Sequence, residues 1–129
     1  MELAMPWPAS GGEWLAWLSA IAAILLGFAI LVAPRPAARF RGMAAGGAGL
    51  PARGLRATSG FPLGVGLCAV LLAQPFIYLA LGAAWIFSAI ARLVGILAER
   101  DANPASLGWL VAETLLGVMP LAYVFGYVP

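Results

Sequence analysis

The chain has 129 residues, of which 64% are hydrophobic and 9% charged, and its mean hydropathy is +0.99; this balance lies outside that of soluble domains and points to an integral membrane protein. The formal net charge of +2 is too small to argue for nucleic acid as a partner. With no histidine and a single cysteine, Cys68, the chain offers no bis-His haem ligation, no usual zinc site, no internal disulfide and no His-based triad, so no cofactor is expected. Cys68 falls in an apolar stretch, where a small buried thiol used for packing is the expectation.

The first predicted span, WLAWLSAIAAILLGFAILVA from Trp14 to Ala33, has the length needed to cross a hydrocarbon core of about 30 Å, and Pro34 closes it. The residues before it carry Glu2 and Glu13 and no basic residue, so the positive start of a cleaved signal peptide is missing and the span reads as retained. A connection rich in Gly, Ala, Pro and Arg follows over residues 34–56, holding Arg35, Arg39, Arg41, Arg53 and Arg56. Its PAARFRGMAA segment reads either as a short interfacial helix, with Phe40 and Met43 towards lipid, or as a basic loop without fixed structure.

The second span is expected over about 57–73, with Pro62 near its start and Arg56 snorkelling at its foot. Gln74-Pro75 makes a tight turn into a third span at about 76–98. After ERDANPAS, where Ser106 can cap a helix, the fourth span covers about 107–128. Pro120 lies inside it and should free the carbonyl of Leu116, because proline lacks the N–H that would bond back four residues. The resulting fold class is an all-α, four-helix antiparallel membrane bundle forming one domain over residues 1–129.

All seven basic residues are arginines on one side of this bundle. The exclusive use of Arg with abundant Ala, Gly and Pro suggests a GC-rich bacterial genome, and in a bacterial inner membrane the positive-inside rule then places both termini in the periplasm and both basic connections in the cytoplasm. Trp7, Trp14, Trp17, Tyr123 and Tyr127 fit an outer aromatic belt, and Trp109 an inner one.

A four-residue step along the third span joins Ala80, Ala84, Ser88 and Arg92, and along the second Arg56, Gly60, Gly64 and Cys68. Small residues at this spacing let helices approach closely in lipid, so Gly60, Gly64, Ala80, Ala84 and Gly117 are candidate packing positions. Arg92 and Glu113 are the two deep charges. Arg92 lies six residues from Ala98, and Glu113 six residues from Leu107, so each sits about 9 Å from its span's end on the same side. Antiparallel neighbours bring them to one depth. Arg56, Ser88, Arg92, Glu99 and Glu113 thus form a candidate intramembrane polar cluster, either as a lock between helices or as a ligand site.

The segments RATSGFPLGVGL, AIARLVGIL and WLVAETLLG, between Leu55 and Gly117, resemble the small four-span bacterial membrane family catalogued as domain of unknown function 4345. The chain departs from that family's pattern at Ser59-Gly60, where a Gly-Gly is usual, and at Val94-Gly95, where a Ser is usual. The resemblance implies a four-helix architecture and no particular activity. Three functions follow from the residues: a non-catalytic accessory subunit or binder of lipid-like molecules, a proton-coupled transporter using Glu113, and a membrane enzyme acting on a lipid or isoprenoid. For the last, Tyr123 and Tyr127 are the only further proton carriers, and they lie about three turns away. The expected partners are membrane lipids and a membrane protein or second copy of the chain.

Overall fold

The computed structural model describes residues 7–41, 52–100 and 104–128. Among these the chain is helical, with four helices long and apolar enough to cross a membrane. The elements are α1 (Gly11–Val32), α2 (Pro34–Phe40), α3 (Ala52–Ala57), α4 (Gly60–Leu72), α5 (Pro75–Glu99) and α6 (Pro104–Val124).

Helix α1 starts where Ser10 accepts a hydrogen bond from the Glu13 N–H at 3.2 Å, while the Glu13 carboxylate accepts from the Ala9 N–H at 2.7 Å. These bonds satisfy donors that a helix N-terminus leaves open. The buried stripe of α1 is Gly12, Ala16, Ser19, Ala20, Ala23, Gly27 and Ile30, whereas Leu18, Leu25, Phe28 and Leu31 are exposed. Small side chains face inward and large apolar ones outward, a distribution suited to lipid and costly in water.

Residues 34–40 form the short helix expected as one of two alternatives, with Pro34 in the first turn, where its missing N–H costs nothing. The rest of that segment, from residue 42, lies outside the described residues. The second long helix begins earlier than expected. Its helical run covers Gly54–Leu72, 19 residues, and is interrupted only at Thr58 and Ser59, whose N–H groups donate to Leu55 and Arg56 at 3.1 and 3.0 Å.

Ala73 adopts the left-handed conformation at φ 50°, and Pro75 opens α5. Helix α6 also begins three residues before the expected Leu107, because Pro104 pre-sets a helical first position. Ser106 therefore lies inside the first turn. The helix stops at Val124 instead of 128: Gly126, at φ +83°, is followed by a Tyr127 N–H that donates to Ala122 at 2.9 Å, the Schellman arrangement.

The most extensive interface joins α5 to α6, and the next joins α1 to α4. A Cβ on Gly66 would lie 2.9 Å from the Ala20 carbonyl oxygen, so α1 and α4 meet there backbone to backbone. Gly82 and Gly117 do the same for α5 and α6, each 3.0 Å from the other's oxygen by the same measure. Gly60 and Gly64 are expected to face a helix either within the chain or across a dimer; the first alternative is corrected, since among the described residues a Cβ on either meets open space. Ala80 and Ala84 are likewise exposed. The buried faces are set one residue position or more away from the four-residue tracks, at Gly66, Ala69 and Val70 on α4 and at Tyr78, Leu81 and Trp85 on α5. Cys68 is exposed, not buried.

Pro120 is buried inside α6. The carbonyl of Leu116, which Pro120 cannot satisfy, accepts a hydrogen bond at 2.6 Å from the fully buried Ser19 hydroxyl of α1. An orphaned acceptor in a dry interior costs on the order of 1–3 kcal/mol, so this bond explains why a lone serine sits in the alanine stripe of α1.

Candidate functional site

Arg92 of α5 and Glu113 of α6 are in direct contact, Nε donating to Oε1. Glu113 is 1% exposed and the Arg92 side chain 11%. Arg92 also donates through Nη1 to the carbonyl of Arg41 at 2.8 Å and to the Ser106 hydroxyl at 3.4 Å. One guanidinium thus ties together α5, the first turns of α6 and the end of α2.

The residue at the end of α2 is the unexpected member. The Arg41 guanidinium lies 5.6 Å from the centroid of the Trp109 ring, a cation–π distance. Trp109 is held in turn by its indole N–H, which donates to the Phe40 carbonyl at 3.1 Å, and by an edge-on contact with the Phe40 ring at 5.7 Å. The Arg41 Nε is buried without a partner among the described residues. Burial pushes the Arg41 guanidinium below its ordinary pKa; the Glu113 carboxylate opposes that shift and the Arg92 charge adds to it.

Arg41 also lines a groove of about 290 Å³ between α1, α4 and α5. Leu26, Ile30, Val65 and Leu81 supply apolar wall, and Thr58 and Ser88 join Arg41 in supplying polar groups. Trp85 lines it too, and its indole N–H is buried without a partner among the described residues. At the other end of the molecule Trp7, Glu13, Tyr78 and Tyr123 line a smaller cavity of about 220 Å³.

Of the five residues of the expected cluster, the structure brings Arg92 and Glu113 together. Arg56 is exposed and instead donates through Nε to the Leu31 carbonyl at 3.1 Å, which ties α3 to the last turn of α1. Ser88 stands on the groove wall and is not bonded to the pair. The Glu99 side chain lies outside the described residues. Arg41 and Ser106 take the vacant places. Ser106 was findable, because it precedes Glu113 by seven residues, two helical turns on the same face. Arg41 was not, since only the direction that α2 takes brings the residue at its end against Arg92 and Trp109.

No group of three or more His, Cys, Asp or Glu side chains that could hold a metal ion occurs among the described residues. Comparison with protein-family models, curated proteins and solved structures returns no match.

Proposed function

We propose that the chain is a bacterial inner-membrane protein, a four-helix antiparallel bundle of the resembled family with both termini in the periplasm, and that it binds a lipid-like small molecule without transforming it. The observation that carries this reading is the groove: apolar walls on three helices ending against the Arg41, Thr58 and Ser88 side chains. A pocket with one polar end and apolar sides suits an amphiphile entering from the bilayer. The Arg92–Glu113 contact supports a positioning role, because Arg92 holds the carbonyl of Arg41 in place. A transporter that uses Glu113 as its proton site needs that carboxylate accessible, and 1% exposure beneath an arginine argues against it.

The accessory-subunit reading rests on a different observation, the open face of α4 around Gly60 and Gly64. Purification in a mild maltoside detergent followed by native mass spectrometry separates the two. Binding predicts a stoichiometric small molecule that is lost when Ala84→Phe fills the groove; a protein partner retained without any small molecule would contradict it. Topology is tested by reporter fusions, expected to score periplasmic at Pro129 and cytoplasmic at Gly47.

A further inference from the structure

We infer that the groove's ligand carries an anionic head group, a carboxylate or phosphate, that docks on Arg41 while its hydrocarbon chain runs along Leu26, Ile30, Val65 and Leu81. The inference rests on the proposed reading that the groove holds a lipid-like molecule, and it adds the charge and the residue that reads it.

Local charge is the first support. The Arg92–Glu113 contact is the ion pair of the described residues, and Arg41, whose carbonyl Arg92 holds, is the second guanidinium beside it. Arg41 has no carboxylate partner among them. A cation withdrawn from water with only a shared counter-charge is costly, and an arriving anion lowers that cost.

Preorganisation is the second. The Arg41 side chain is stacked near Trp109, Trp109 is fastened to Phe40, and the Arg41 carbonyl is taken by Arg92. Little side-chain freedom is left to lose on binding, and a fixed planar guanidinium can meet two oxygens of a carboxylate or phosphate at once. Ser88, on the same groove wall, supplies a hydroxyl donor. A volume of about 290 Å³ sits at the low end of ligand pockets, roughly 300–1,000 Å³. It accommodates a head group and the first part of one chain, with the remainder left in lipid.

The test compares three single-chain amphiphiles with the same tail: oleate, oleoyl lysophosphatidate and neutral oleyl alcohol. Each is titrated at alkaline pH against the full chain in dodecyl maltoside and followed by native mass spectrometry. At least one anion should bind about tenfold or more tightly than the alcohol, a difference of roughly 1.4 kcal/mol. Arg41→Gln should abolish that preference, Arg41→Lys should keep part of it, and Ser88→Ala, which leaves the Trp109 stack untouched, should weaken the anion alone. Which anion wins identifies the source as a fatty acid or a phospholipid. If all three bind equally and Arg41→Gln changes nothing, the anionic head is wrong while the groove still binds lipid. If none binds and Ala84→Phe has no effect, both this inference and the binding reading fall.

Discussion

The two largest helix interfaces of the molecule are built on different principles. Between α1 and α4 the contact is apolar, with Gly27 against Leu63 and Gly66 against Ile24 and the Ala20 backbone, and with no ion pair among the described residues. Between α5 and α6 the same close approach occurs at Gly82 and Gly117, but a buried Arg92–Glu113 pair is added further along. Apolar packing of glycine against Leu63 and Ile24 serves the first pair, so close packing does not require the charges of the second. What the ion pair adds is position: it fixes α5 against α6 and, through the Arg41 carbonyl, holds the end of α2 over the groove. A buried pair is a weak source of net stability and a good means of specifying one arrangement.

The sharpest way to break that contrast is to remove one charge. Glu113→Leu leaves Arg92 buried without its carboxylate, and thermal unfolding in detergent should show a loss of roughly 3–5 kcal/mol. On the apolar side, Gly66→Leu drives a side chain into the Ala20 backbone. Its expected cost, typically about 1–3 kcal/mol for overpacking, should appear in the same melt without altering ligand preference at Arg41. Smaller again is Ser19→Ala, which strands the Leu116 carbonyl at a cost of about 1 kcal/mol. Adding Pro120→Ala should recover most of it by restoring an N–H within α6. The smallest effect is Gly64→Leu on the open face of α4, within about 0.5 kcal/mol for the isolated chain. A large loss there would show that this face is packed.

The helices were legible because long apolar runs punctuated by Pro, Gly and charge define them almost without ambiguity, and two of the boundaries that moved did so at Pro104 and Gly126, where a local backbone preference decides. The Arg92–Glu113 contact followed from matching two depths along neighbouring helices. Which faces turn inward was harder. A bundle rich in Gly and Ala offers several stripes of small residues per helix, and Gly60 and Gly64 resemble a packing seam as closely as Gly66 does. With large apolar residues exposed as well as buried, the inside-outside contrast that marks a soluble helix is missing. Arg41 and its groove depend on how α2 folds back, a tertiary fact with no local pattern behind it.

The central claim is that Arg92 and Glu113 act as one unit, and a double-mutant cycle on thermal stability in detergent tests it most directly. Arg92→Leu and Glu113→Leu should each destabilise strongly, and the double variant should lose at least about 1 kcal/mol less than the sum of the two. Strictly additive losses would show that the two side chains do not interact, and would contradict the account of how the groove's arginine is held.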